Sequence, residues 1–394
     1  MIQDAMPVAR SAWIPPAGQS RRTVTPLYAV HRNFGAHFGS YAGMTMPIRY
    51  AGELTEAKAV RRGAGLFDLC YSGEISVIGP DAGALLDYAL TGWASRLPIG
   101  RARYMTLCGE DGRIVEDVVV CRLDASEFLL VCNTANVDRM LDEIATRGRR
   151  FAARVDDRTE DYAVVAVEGP RARDIVGRLT PVDLAALRRF GTAETTLAGR
   201  NGVIARTGYT ADDGYEFYCG PDDAAAVWYS LYEAGLPYGI APAGLSCRDL
   251  LRLESGIALC GRELTRAVSP YDVGLGTTVA LDKPDFVGRS ALVARAATEG
   301  EIALVGLLGA GPRVPRAGAQ IVDTDTGRQV GTVTSGAPSP SLGRPIAMAL
   351  VNLDALASSC DLAAVVRGER EPVEITAMPF RRRSWPVTTH QAAS

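Results

Sequence analysis

Apolar and polar positions alternate along the chain in a unit that occurs three times. In each copy a β-branched or aromatic apolar run ends in Gly-Pro, and a helical pattern follows. The copies are residues 74–81 before 82–90, residues 163–170 before 171–179, and residues 215–222 before 223–236. Glycine permits a sharp exit from a strand, and proline suits the first helical turn. The pattern predicts repeated strand–helix units, which favour α+β subdomains with antiparallel sheets over one doubly wound sheet.

The pattern changes after Lys283, where short apolar runs alternate with Gly, Pro and Asp. These runs predict a small all-β barrel that starts near residue 295. A Ser/Gly/Pro-rich stretch at 331–342 is predicted to be a loop with no chemistry of its own. The barrel runs are 302–309, 318–323, 328–334, 345–351 and 371–377; strands are also predicted at 114–122, 127–132 and 202–206, and helices at 134–148 and 243–257.

Composition supports a globular chain of two or three subdomains, because 47% of the 394 residues are hydrophobic and 22% are charged. The net charge of -3 gives no long-range attraction for nucleic acid. No apolar run is long enough to span a membrane, and residues 1–22 lack the apolar core of a secretory signal. We therefore expect a cytoplasmic protein with neither nucleic-acid nor membrane partners.

The eight cysteines form no Cys-x-x-Cys pair, and there are only three histidines. This predicts buried, reduced thiols and no metal site. It also argues against a histidine-dependent nucleophilic triad. Acid–base chemistry should therefore fall to carboxylates.

Two adjacent carboxylates, Glu116 and Asp117, interrupt a predicted apolar strand. Strand alternation should send them to opposite faces, so that one of them faces inward and needs a partner. Such a carboxylate could anchor a basic nitrogen, or it could be half of a structural ion pair. The residues alone leave both interpretations open.

Two further segments offer groups for a polar ligand. Residues 206–216 form a Gly-rich hairpin that leads to Glu216, whose carboxylate could accept two hydrogen bonds from an amidine-like ring edge such as that of a pterin. Arg248 and Arg252 lie four apart on one face of a predicted helix and could clamp an acidic ligand. Taken alone, a plain hairpin and surface ion pairs explain these segments more simply.

In this order and spacing, the segments resemble the T-protein family of folate-dependent aminomethyltransferases. The resemblance runs from about residue 25 to residue 381. The blocks that carry it are Pro26-Leu27-Tyr28, Tyr41-Ala42-Gly43, Met46-Pro47, Gly65-Leu66-Phe67-Asp68, Gly100-Arg101-Ala102-Arg103-Tyr104, Thr207-Gly208-Tyr209-Thr210, Val333-Thr334-Ser335-Gly336, Ser339-Pro340-Ser341-Leu342 and Ile346-Ala347-Met348-Ala349.

The resemblance implies an α+β fold with three subdomains in a ring and tetrahydrofolate in its central hole. Two subdomains would be ferredoxin-like, with split β-α-β units, and the third a small C-terminal β-barrel. The expected limits are a tail at 1–24, the folate-binding region at 25–294 with two interleaved subdomains, the barrel at 295–385, and a tail at 386–394. A monomer or weak dimer is expected.

The resemblance also implies site residues. Asp117 matches the catalytic aspartate of the family. The residues that match its folate site are Tyr104, Asn133, Tyr209, Glu216 and Arg248.

The chain departs from the family mainly on the substrate side. Cys70-Tyr71-Ser72 stands where family members carry a histidine and a methionine, and Thr277 stands where a tryptophan is common. These residues are expected at the substrate mouth. Glu168 replaces a glutamine. The basic run 381–383 could be a solvated tail, or it could contact the folate glutamate tail or an acidic partner.

Three hypotheses for function follow. The first is a divergent folate-dependent transferase that moves a methyl or methylene group between folate and a small-molecule substrate. The alternative is the ordinary aminomethyltransferase of glycine cleavage, which acts on the lipoyl arm of an H-protein. The third is a non-catalytic folate-binding accessory protein. It is disfavoured because Asp117 is intact and no Lys-Gly-x-x-x-Cys-like motif occurs.

Overall fold

A computed structural model of the chain describes residues 21–298, 300–358 and 361–381. The predicted tail at 386–394 and residues 1–20 of the predicted N-terminal tail lie outside the described residues. So do residues 382 and 383 of the basic run.

The described part of the chain combines short helices with strands of three to eleven residues. The strands are β1 His37–Tyr41, β2 Met44–Arg49, β3 Ala64–Asp68, β4 Ser72–Ile78, β5 Arg101–Cys108, β6 Ile114–Asp124, β7 Glu127–Asn133, β8 Arg154–Asp157, β9 Ala163–Glu168, β10 Thr192–Leu197, β11 Arg200–Ala205, β12 Gly214–Cys219, β13 Ile240–Pro242, β14 Ile302–Gly309, β15 Gln320–Asp323, β16 Gln329–Pro338, β17 Pro345–Asn352, β18 Leu362–Val366 and β19 Glu369–Thr376. The helices are α1 Tyr28–Asn33, α2 Glu53–Arg62, α3 Ala82–Ala89, α4 Val137–Gly148, α5 Ala172–Val176, α6 Ala224–Gly235, α7 Leu245–Glu254, α8 Arg289–Ala296 and α9 Leu353–Ala357.

Two large sheets and the two-stranded antiparallel sheet β1-β2 lie within residues 21–242. One of the large sheets has five strands in the order β5-β6-β7-β4-β8, and its pairs are antiparallel. Helices α3 and α4 contribute Leu85, Leu86, Met140 and Ile144 to the apolar core on one face of this sheet. The other sheet has six strands in the order β10-β11-β12-β9-β3-β13, with β13 parallel to β3. The predicted antiparallel sheets are confirmed apart from this one parallel pair.

The C-terminal part forms a closed barrel in the order β14-β17-β16-β15-β18-β19. The predicted barrel is confirmed, but two details of the prediction are wrong. Strand β18 lies at 362–366, outside the predicted barrel runs. Residues 331–338 of the predicted loop belong to β16. Only the segment after this strand turns toward β17.

The three Gly-Pro units are confirmed as strand followed by helix, in β4–α3, β9–α5 and β12–α6. Gly79 and Gly169 have positive φ values, and a Cβ atom on either would approach a backbone carbonyl to within 2.6 Å. Both positions therefore require glycine. Gly220 has φ -62 and open space around it, and Pro221 begins a short 3-10 helix there.

No helix within the described ranges is long and apolar enough to cross a membrane.

Candidate active site

Asp117 lies on β6, the second strand of the five-stranded sheet, where several predicted site residues meet. In the strand register Thr106 of β5 is opposite Asp117, and Ser72 of β4 is opposite Asn133 of β7. Val119 pairs with Val131, so continuing this register by two residues brings Asn133 opposite Asp117. Neighbouring strands lie about 4.8 Å apart. The sheet therefore aligns these residues in a row across four strands.

The Asp117 carboxyl is half-buried and lies beside the Tyr104 phenol. Burial raises the pKa of Asp117 above its ordinary value, and the hydrogen bond from the Tyr104 phenol opposes that shift. Burial and then the neighbouring Asp117 charge raise the pKa of Tyr104, so the phenol keeps its proton. Tyr104 is thus a donor that orients this carboxylate.

Glu116 lies close to Asp117, whereas strand alternation predicts that the two side chains point to opposite faces of the sheet. One carboxylate oxygen of each residue and the Sγ atom of Cys260 all lie within 4.8 Å of one another. A register shift in the pairing of β5 with β6, between Leu107 and Cys108, lies beside Glu116, and such bulges re-aim side chains. Burial and then the Asp117 charge raise the pKa of Glu116.

Arg248 on α7 presents its guanidinium to two tyrosine rings. Its Cζ atom lies 4.0 Å from the ring centroid of Tyr209 and 5.6 Å from that of Tyr71. Within the described ranges its Nε atom has no hydrogen-bond partner. Burial alone would lower the pKa of Arg248, but Tyr71, Tyr209, Glu168 and Glu216 raise it. The result is a permanent cation between aromatic faces.

Glu168 shapes the loop that carries Tyr209. The backbone N–H groups of Tyr209 and Thr210 donate to Oε2 of Glu168 at 2.9 and 3.0 Å. Burial raises the pKa of Glu168, and the charge of Arg248 opposes that shift. The glutamate at this position therefore holds the tyrosine loop and faces the arginine.

Glu216 lies on β12 and is also buried. The Tyr218 hydroxyl donates to its Oε2 at 2.9 Å, and the carboxylate lies close enough to Arg248 and Tyr209 to affect their pKa values. Tyr209 in turn feels the charge of Asp117, which helps to raise its pKa after burial. One site thus extends from Asp117 through Tyr209 to Arg248 and Glu216.

The four residues expected at the substrate mouth lie in different surroundings. Cys70 is buried in the core of the six-stranded sheet, where its Sγ accepts from the Val164 N–H at 3.3 Å. Tyr71 is buried against Tyr41 and Arg248. Thr277 is exposed in the short 3-10 helix Gly276–Thr278, next to Thr91. Ser72 is half-buried and begins β4. Of these, Tyr71 and Ser72 lie close to the predicted folate-site residues.

Arg252 forms a buried ion pair, so the prediction of a surface ion pair is wrong for this residue. Its side chain is 2% exposed and donates to Glu263 at 2.8 Å and to the Ser335 hydroxyl at 2.6 Å. Ser335 in turn donates to the other oxygen of Glu263 at 2.6 Å. Because Ser335 belongs to β16, this triad joins α7 to the barrel.

Glu254 makes a second buried junction two residues further along α7. It accepts hydrogen bonds from Arg61 of α2 at 2.7 Å, and from the backbone N–H and hydroxyl of Ser341 at 3.0 and 2.9 Å. Arg61 also donates to Asp212 at 2.6 Å. Arg381, at the start of the predicted basic run, donates to Asp212 at 2.9 Å. Arg381 is therefore tied to the fold.

The likeness to known proteins covers the region that holds these groups. Residues 27–283 match the GCVT N-terminal domain, and residues 303–381 match the glycine cleavage T-protein C-terminal barrel domain. The chain belongs to the glycine cleavage T-protein family. It is 46% identical over 361 residues to an aminomethyltransferase of Saccharopolyspora erythraea, covering 91% of this chain and 98% of the relative.

Two other family members support the assignment. An aminomethyltransferase of Streptomyces avermitilis is 47% identical over 364 residues, covering 91% of this chain and 97% of the relative. The crystal structure of glycine cleavage system aminomethyltransferase T from Bartonella henselae superposes with a TM-score of 0.85 at 31% identity. It covers 91% of this chain and 98% of that one. The expected T-protein fold is confirmed, and the chain is a folate-dependent one-carbon transferase whose one-carbon acceptor is tetrahydrofolate.

Sequence reasoning missed the groups that fix the site from behind. Cys260, Glu263 and Ser341 give no local signal in the sequence, because most of the groups they contact lie far away along the chain. The alternation of β16 could have identified Ser335, since it points inward between buried neighbours on that strand.

Proposed function

We propose that this T-protein transfers the aminomethyl group of a lipoyl-bearing carrier protein to tetrahydrofolate. The arrangement that supports this is the continuous site from Asp117 to Arg248, with a half-buried carboxylate at one end and a cation between two tyrosines at the other. Relatives 46% and 47% identical over nearly the whole chain carry the name aminomethyltransferase. This favours the alternative from the sequence over a divergent enzyme with a small-molecule substrate.

The residues around Arg248 fit a flat, polar ring. Tyr71 and Tyr209 offer aromatic faces, and Glu216 offers carboxylate oxygens to N–H donors. Arg248 supplies hydrogen-bond donors of its own. When bound, tetrahydrofolate supplies the two nitrogens that accept the one-carbon unit.

Mass balance defines what the chain must handle. Passing the carbon from an aminomethyl group to two folate nitrogens breaks one carbon–sulfur and one carbon–nitrogen bond. The two protons lost from folate appear on the released thiol and on ammonia. We assign Asp117 to hold the amine by a charge-assisted hydrogen bond and to handle one of these protons. Tyr104 orients Asp117, and the rest of the site holds donor and acceptor close together.

The departures at the substrate mouth weigh little against this assignment. Cys70 is buried in the core of the six-stranded sheet, and Thr277 is exposed to solvent. We also propose that the chain consists of two structural units, the folate-binding region at 25–294 and the barrel at 295–385. A separate proposal is that Asn133 and Ser72 contact the part of the site that binds the one-carbon donor.

The assignment is tested by comparing two classes of donor with tetrahydrofolate as acceptor. With an aminomethyl-lipoyl carrier protein we expect ammonia and methylene-folate in equal amounts. With N-methylated amino acids we expect no turnover. If a small methyl donor gives methyl-folate and the carrier protein does not react, the proposal is wrong. The result would then support the divergent transferase with a small-molecule substrate.

Arg248→Met should weaken tetrahydrofolate binding. Loss of a charged hydrogen-bond donor costs about 1.5–3 kcal/mol, which corresponds to an increase in Kd of about tenfold to a hundredfold. The measurement is isothermal titration of the folded variant with tetrahydrofolate. Arg262→Met is the matched control, because Arg262 is exposed and pairs with Asp249, which lies next to Arg248 on α7. An unchanged Kd for Arg248→Met would remove Arg248 from the folate site.

A further inference from the structure

We propose that Glu116, Asp117 and Cys260 form a binding site for a divalent transition-metal ion such as Zn²⁺. One potential ligand atom of each residue lies within 4.8 Å of the others. The two carboxylates come from β6, and the thiol comes from the loop that follows α7. Elements far apart in the sequence thus bring three potential metal ligands to one point.

The Glu116 carboxylate is the observation that points to a ligand. Glu116 is completely buried, and neither carboxylate oxygen has a hydrogen-bond partner among the described residues. A buried polar group without a partner is costly, so such a group needs a proton donor, water or cation. Its carboxylate is aimed at Asp117 and Cys260, where a cation would satisfy all three side chains.

The position of the thiol is fixed by the fold. The N–H of Leu259 donates to Glu263 at 2.9 Å, and Glu263 is held in turn by Arg252. Asn136 donates to Cys260 Sγ at 3.6 Å from the start of α4. Cys260 is also half-buried, unlike the six fully buried thiols elsewhere in the described part of the chain. It can therefore be reached by an ion that enters the active site.

The donor set selects the class of metal. One sulfur and two carboxylate oxygens suit Zn²⁺ or Co²⁺, whereas Mg²⁺ and Ca²⁺ prefer oxygen ligands alone. Bonds of about 2.3 Å to sulfur and about 2.0–2.2 Å to oxygen require the ligand atoms to lie about 3.5 Å apart. Small side-chain rotations would bring the three atoms from within 4.8 Å to this spacing. The fourth position stays open to water.

Binding would release the thiol proton to solvent and would occupy Asp117. The ion and the amine of a substrate would then compete for the same carboxylate, so the metal inhibits turnover. This competition rests on the proposed function, whereas metal binding does not. The site differs from the sequence expectation of no metal, because Cys260 meets the carboxylates only in the folded chain.

The direct test is a titration of the full-length, chelator-treated protein with Co²⁺, followed by displacement with Zn²⁺. We expect one ion per chain and the absorption band of a thiolate-to-cobalt bond. Cys260→Ser should abolish the band, and Glu116→Gln should raise the Kd at least tenfold. Cys219→Ser removes a thiol from the other sheet and should keep the band. Wild-type protein without the band, or an equal band in Cys260→Ser, would overturn the proposal.

Turnover provides the second readout. Zn²⁺ should inhibit the wild-type enzyme in proportion to the occupied fraction, and Cys260→Ser should need at least tenfold more Zn²⁺ for equal inhibition. Equal inhibition of both proteins would refute the competition. If neither donor class supports turnover, the proposed function fails, and the cobalt titration still decides the metal site.

Discussion

Asp117→Asn should lower kcat by about 10²–10⁴ while tetrahydrofolate binding changes little. A positioned acid–base group contributes about this much to rate. Asparagine keeps the size and one acceptor oxygen of aspartate, but it can neither carry a negative charge nor take up a proton at neutral pH. The Tyr104 phenol can still donate to the amide oxygen, so the local structure should persist. The measurement is single-turnover transfer from the aminomethyl carrier, with folate binding measured in parallel.

Asp138→Asn is the matched control. Asp138 lies in the first turn of α4 on the same subdomain, its side chain is 85% exposed, and it pairs with the half-buried Arg21. This variant should keep wild-type kcat. If Asp117→Asn turns over at the wild-type rate, the carboxylate has no role in the reaction. If it loses folate binding and turnover together, Asp117 supports the folate site rather than the transfer.

Arg252→Met should lower the free energy of unfolding by about 3–5 kcal/mol. Removing one partner of a buried ion pair leaves the other charge without compensation, and this cost is large. The group that would lose its charged partner is the Glu263 carboxylate, whose side chain has no exposed surface. The Ser335 hydroxyl and the Leu259 N–H would remain to donate to it, but neither carries a charge. Chemical unfolding followed by circular dichroism measures the loss.

The double variant Arg252→Met with Glu263→Leu should recover part of that stability, because it removes both charges together. Arg200→Met is the surface control: its pair with Asp223 is exposed and should contribute about 0.2–1 kcal/mol. An Arg252→Met protein as stable as the wild type would show that the triad does not hold α7 against the barrel.

The sequence predicted the repeating strand–helix units and the barrel because local patterns carry that information. Alternation, Gly-Pro exits and turn residues act over a few neighbouring positions. Strand β18 was missed because Leu-Ala-Ala-Val-Val is short and alanine-rich, and alanine is a weak strand former. Its pairing with β15 and β19 makes the strand.

The candidate site was likewise predictable from the sequence only in part. Asp117, Glu216 and Arg248 could be named because each stands in a block that resembles the family. Their burial and mutual orientation could not be named, since these depend on contacts between distant segments. The approach of Glu116 to Asp117 follows from a register shift, and that of Cys260 follows from a loop held by Glu263. Alternation alone gives the wrong face for Glu116.

Helix α7 has a consequence for how this chain can be cut or recombined. Arg248 faces the tyrosines, whereas Arg252 and Glu254 on the following turn are bound by serines of the barrel segment. A chain that ended before β14 would leave both charged side chains without those hydroxyls. The barrel therefore cannot be replaced independently of the N-terminal region. A chimaera that keeps the N-terminal region must also keep Ser335 and Ser341 of this barrel segment.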